Sequence, residues 1–150
     1  MKSLLKFLST PNIEISEMAI CIEVLKVENC RASEILSATW NNFYPDQFLI
    51  LEARKNSSNV IVRDRFILSL ISQLPRTHAT KIFPNITYSK LYHHCKTYYS
   101  HLFTKFKKRK NFKVTHGFRY SAVEQVANET KIRDILHHRS IKSGKYYKLN

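Results

Sequence analysis

Between Asp46 and Asp64 the chain changes its hydrophobic period, and no other feature narrows its possible folds as much. In "DQFLILEARKNSSNVIVRD" two β-rich runs flank the polar turn "KNSSN", which is a hairpin signal. The surrounding sequence keeps the helical period. Upstream, "EISEMAICIEVLKV" (14–27) carries Ile15, Met18, Ile22 and Leu25 at intervals of three and four, predicting a helix with one buried stripe and Asn12 as its cap. "RASEILSATW" then predicts a second helix, with Ile35, Leu36 and Trp40 as core candidates. Downstream, "RFILSLISQL" (65–74) returns to helix before Pro75. A helical chain interrupted by one hairpin is mainly α with a small antiparallel β-hairpin or sheet.

The second half extends this reading. "TYSKLYHHCKTYYSHLFTKFKK" places Tyr88, Leu91, Cys95, Tyr98, Leu102 and Phe106 on one helical stripe, so most of these aromatics are read as core and not as base-stacking platforms. Two more helical stretches follow near 116–128 and 130–136. With no internal repeat or low-complexity tract, the 150 residues form a single domain over 1–150, long enough for one core without a disulfide or metal staple.

Charge points to a polyanionic partner. Lys and Arg number 25 against 11 Asp and Glu, a formal charge of +14, more than solubility asks of a small domain. Nucleic acid is the first candidate; a generically basic ribosome-associated or membrane-surface protein is the bland alternative. Cys21, Cys30 and Cys95 are odd in number and irregularly spaced, which opposes a disulfide framework and fits a reducing compartment. Lys6 interrupts the apolar start "MKSLLKFLST", and nothing nears the roughly 20 apolar residues of a membrane span, so the reading is a protein neither secreted nor in the membrane.

Several chemistries are excluded by spacing. His93, His94 and Cys95 are consecutive and diverge on a helix, so "YHHCK" is not read as a zinc site. Gly117 and Gly144 are the only glycines, too few for a phosphate-cradling loop, and the acidic residues are too scattered for a two-metal nuclease. The expectation is a phosphate site with no metal and no cofactor. Its candidates are Arg31, Lys55, His116, Arg119, His138 and the tyrosines near the end. In "VTHGFRYSAV" His116 and Arg119 sit three apart at a helix start and can address one object; an arginine fork with an imidazole suits a phosphate oxygen. Singly, each candidate has a plain structural explanation: a cap, a turn residue, a packed histidine, a hydrophobic latch.

Taken in order, these residues resemble the catalytic domain of tyrosine recombinases, the phage-integrase family of mobile elements. "CRASEIL" is similar to that family's first-arginine motif, and "THGFRYSAV" to its His-x-x-Arg box. "ILHHRSIKSGKYY" is similar to its third box, in which a tyrosine follows the histidine by nine residues, as Tyr147 follows His138. Lys55 lies in a hairpin, where the family carries a lysine. His137 departs from the usual glycine, and three residues follow Tyr147. The resemblance covers nearly the whole chain and has no counterpart for the family's N-terminal core-binding domain.

The resemblance implies DNA recombination or integration through a 3′-phosphotyrosine intermediate, without metal or ATP. It makes Tyr147 the nucleophile, His116 the base, Arg31 and Arg119 the phosphate clamp, Lys55 the acid for the leaving oxygen and His138 a phosphate contact. Glu34 can reach the Arg31 face and orient its guanidinium. "KFKKRKNFK" reads as a DNA-backbone track of Lys105, Lys107, Lys108, Arg109, Lys110 and Lys113. Partners are double-stranded DNA and other recombinase protomers; the place is the cytoplasm, at the nucleoid, for a prokaryotic or phage chain. A catalytically silent DNA-binding relative and a type IB topoisomerase-like enzyme are the competing readings.

Overall fold

The computed structural model describes residues 12–53, 58–106 and 113–124. Helix α1 (Ile13–Glu28) begins where the Asn12 side chain accepts the Ile15 N–H at 3.2 Å. It ends at Asn29, whose left-handed backbone (φ 54°) returns its N–H to Leu25 O at 3.1 Å. The predicted stripe needs one correction. Met18, Ile22 and Leu25 are buried, but Ile15 is 40% exposed, while its neighbours Ser16 and Glu17 are buried. Ile20, Cys21 and Val24 are buried as well, so α1 is covered on more than one side.

Helix α2 (Ala32–Leu36) is far shorter than the span "RASEILSATW". The backbone leaves the helix at Ser37, Thr39 bridges to Lys81, and a 3-10 turn (Trp40–Asn42) follows. Pairing with a distant segment overrides local helix propensity here. Ile35 and Trp40 are buried as expected, and Leu36 is partly buried.

The period change becomes a three-stranded antiparallel sheet in the order β1 (Phe43–Tyr44), β2 (Phe48–Leu51), β3 (Val60–Val62). Leu49 pairs with Val62 and Leu51 with Val60, and these four side chains are fully buried. Phe48, Ile50 and Ile61 alternate to the more open face, as a half-buried strand requires. Helix α3 (Arg65–Gln73) is capped by Asp64, which accepts the Ile67 N–H at 2.9 Å, and it buries Ile67, Leu68, Leu70 and Ile71.

Helix α4 (Tyr88–Tyr99) starts at the Thr87 cap and passes into a 3-10 segment (Ser100–Phe106) that breaks at Phe103 (φ −117°, ψ 19°). The predicted stripe holds only in part. Leu91, Cys95 and Phe106 are buried, whereas Tyr98 and Leu102 are 61% and 54% exposed and Tyr88 is exposed too. Tyr88 and Tyr98 face outward within α4 itself, and in the 3-10 segment Phe103 packs inward in place of Leu102. A 3-10 turn (Val114–His116) leads into α5 (Gly117–Glu124), the start of the helix expected over 116–128; the stretch at 130–136 lies outside the described residues.

One core joins these elements, drawing on α1, the inner sheet face, α3, α4 and α5. Cys21, Cys30 and Cys95 are free and buried within it, and burial pushes their thiols up, that of Cys95 to about 11. These thiols are correspondingly unreactive. Glu17 and Asn85 fasten α1 to the turn before α4, and beside them Lys90 meets Glu14 at 3.2 Å.

Candidate functional site

The stretch "THGFRYSAV" reaches the backbone just ahead of "CRASEIL". Arg119 Nη1 donates to Asn29 O at 2.5 Å, across 90 positions of sequence, and Asn29 stands two residues before Arg31. The contact depends on how α1 ends, since asparagine tolerates the left-handed conformation that turns the chain toward α2. Arg119 is only 1% exposed. A guanidinium so enclosed needs hydrogen-bond acceptors to offset its lost hydration, and the Asn29 carbonyl is one.

Cys30, the residue before Arg31, is fully buried. Burial raises its thiol most; the Glu34 carboxylate adds to the effect and the Arg119 guanidinium opposes it, so both charges act on one small volume. Glu34 is buried, and its Oε1 accepts the Arg31 backbone N–H at 2.7 Å. That bond fixes the start of α2 from within and holds Arg31, which is partly exposed, at the helix entrance. The other carboxylate oxygen, Oε2, is buried without a hydrogen-bond partner among the described residues. The sequence reading paired Glu34 with the Arg31 side chain; the bond described is to its backbone.

His116 closes the 3-10 turn, its N–H donating to Lys113 O at 2.9 Å. Its ring is half-buried, 6.3 Å from the Tyr120 ring at 70°. His116 thus lies in the 3-10 turn ahead of the helix, and Arg119 is turned into the protein, so the pair differ in exposure although they are three apart. Beneath the turn, buried Thr115 sits 3.2 Å from the Tyr88 hydroxyl.

Of the basic track, Lys105 and Lys113 are exposed, with Lys105 Nζ 5.5 Å from the Phe106 ring centre. Lys55, His138, Tyr147, Lys107, Lys108, Arg109 and Lys110 lie outside the described residues. The "YHHCK" side chains diverge: Cys95 is buried, His93 exposed, and His94 half-buried against Tyr98 with ring centres 4.7 Å apart. Two residues of this neighbourhood are not among the site candidates of the sequence. Asn29 carries the signal of a helix-ending asparagine; Tyr88 carries none, because its spacing from Leu91 imitates a core position.

No family model matches the chain, and no curated protein matches it. Solved structures do. The fold is similar to that of XerH, a site-specific recombinase bound to its difH substrate in a pre-cleavage complex, with TM-score 0.63 and 16% identity over 97% of this chain and 48% of that one. It is also similar to XerA recombinase, with TM-score 0.57 and 14% identity over 99% of this chain and 58% of that one. The chain spans about half the length of these two proteins. Its helices and small three-stranded antiparallel sheet have the architecture of tyrosine recombinase catalytic domains. Among the described residues no helix is long and apolar enough to cross a membrane.

Proposed function

We propose that this chain is a DNA strand-transfer domain that cuts and rejoins DNA through a tyrosine, as a site-specific recombinase does. The observation that most supports this reading is the Arg119–Asn29 hydrogen bond, which ties Arg119 to the residue two before Arg31 in a fold similar to that of a site-specific recombinase. Tyr147 attacks the scissile phosphate. A phenol is mostly neutral near pH 7, so its proton passes to His116 as the P–O bond forms. Arg31 and Arg119 hold the non-bridging oxygens as negative charge builds, the work that metal ions do elsewhere. The 5′ oxygen leaves with a proton from Lys55, and His138 supports the phosphate. The products are a 3′-phosphotyrosine and a free 5′ hydroxyl, so rejoining reverses the same steps without ATP. Lys105, Lys107, Lys108, Arg109, Lys110 and Lys113 track the duplex backbone, and further protomers complete the assembly on DNA.

A nicked suicide duplex tests this reading. The active enzyme leaves a covalent protein–DNA adduct on a denaturing gel, unchanged by chelator. The enclosure of Arg119 favours a second reading, a silent relative that keeps the fold and the charge but does not offer this guanidinium to a phosphate. That protein gives a salt-sensitive complex and no adduct.

A further inference from the structure

The rim of the His116 turn carries a phenol with no part in the chemistry above. Tyr88 is the first residue of α4 and is 47% exposed, yet its Oη lies 3.2 Å from Oγ1 of buried Thr115. The pair links α4 to the 3-10 turn that ends in His116. Each hydroxyl has a single proton to donate, and the surroundings decide how the two are arranged. The Thr115 hydroxyl has no other hydrogen bond among the described residues. Were Tyr88 the donor, the buried Thr115 proton would have no acceptor among the described residues, a costly arrangement. With Thr115 donating, both protons are accommodated: one bridges to Tyr88 Oη, and the phenol proton points toward the exposed side.

We propose that Tyr88 is a DNA-contact residue of this site, donating its hydroxyl proton to a backbone phosphate oxygen beside the His116 turn in a direction held by Thr115. The proposal rests on the DNA reading above. Tyrosine hydroxyls are among the groups that contact phosphate oxygens and set register without reading bases. Lys113, exposed two residues before Thr115, flanks the same turn and supplies charge. The two contributions differ in kind. A lysine that neutralises one phosphate releases counterion and steepens the salt dependence by about 0.9 in log–log slope, whereas a neutral phenol adds affinity with no change of slope.

Fluorescence anisotropy with a labelled duplex, run across a salt series for the wild-type chain, Tyr88→Phe, Thr115→Val and Lys113→Ala, separates these contributions. Thermal unfolding of each variant accompanies it. The expected result is that Tyr88→Phe binds about fivefold more weakly at every salt concentration with an unchanged slope. Thr115→Val, which keeps the phenol but frees its direction, loses less, and Lys113→Ala lowers the slope by about one. Tyr88→Phe binding as tightly as wild type, with or without a lower unfolding temperature, would reduce the pair to a structural link and overturn the proposal. A shallower slope for Tyr88→Phe would also overturn it, since the lost contact would then be ionic. Failure of the wild-type chain to bind duplex DNA would remove the underlying reading itself, an outcome distinct from either of these.

Discussion

Glu17 holds Asn85 with both carboxylate oxygens: Oε1 accepts the Asn85 backbone N–H at 3.1 Å and Oε2 accepts its side-chain amide at 2.6 Å. Burial raises the Glu17 carboxyl above the usual range despite these bonds, which pull it down; Glu14 adds to the rise and Lys90 opposes it. A raised carboxyl contributes stability that is full below its unfolded value and is lost as pH climbs through its folded value. Glu28 has the same sign, from burial first and Asp64 second. Glu17→Gln does not titrate. Its stability deficit against wild type is therefore expected to be largest at about pH 4 and to narrow toward about pH 7, read from urea midpoints in matched buffers.

Gly117 lies against the Phe103 ring, and a Cβ placed there would collide with it. The contact includes the ring carbon nearest the backbone, so a small swing of the ring tip gives no relief. Gly117→Ala is expected to lose about 1–3 kcal/mol of folding stability, measured by denaturant unfolding. Phe103→Leu in the same chain should recover part of that loss by making room.

Arg119→Ala leaves the Asn29 carbonyl without its donor and is expected to cost about 1–3 kcal/mol of stability. Per folded molecule, adduct formation should fall on the order of 100-fold or more, because a charge-stabilising donor is gone from the transition state. Lys108→Ala should weaken DNA binding but preserve the adduct rate at saturating DNA. Equal rate losses in both variants would place the phosphate clamp elsewhere.

Tyr147→Phe removes only a hydroxyl and is expected to abolish the adduct while folding and DNA affinity persist. Tyr146→Phe should keep the adduct, since adjacent side chains cannot share one in-line position. Mass spectrometry of a trapped, protease-digested complex reads the modified residue directly; a nucleotide on Tyr146 would reverse the assignment.

Local physics made much of the architecture readable. The β-rich runs around "KNSSN" became β2 and β3, and Asn12 caps α1 as expected, because strand alternation and caps act over a few residues. Where distant contacts decide, the pattern misled. "RASEILSATW" has helical spacing throughout, but Thr39 pairs with Lys81 and stops the helix. The stripe begun at Tyr88 fails at Tyr88 and Tyr98 within α4, and again at Leu102, where a 3-10 segment has replaced the α-helix. At the site, His116 and Arg119 were visible as a pair at neighbour spacing. The inward turn of Arg119 was not, since its acceptor is a main-chain carbonyl and carbonyls leave no trace in composition.

The left-handed residue that ends α1 has a consequence for assembly. Helix α1 and its cap need only neighbours in sequence, whereas the hook from Arg119 to Asn29 closes a loop of 90 positions, whose entropy must be met by everything that folds between. The meeting of the two boxes is thus conditional on the sheet, α3 and α4 being in place. A chain with a fault in that span would retain local helix and lose the junction first, so the hydrogen bond acts as a built-in check that the stretch between its two ends is whole.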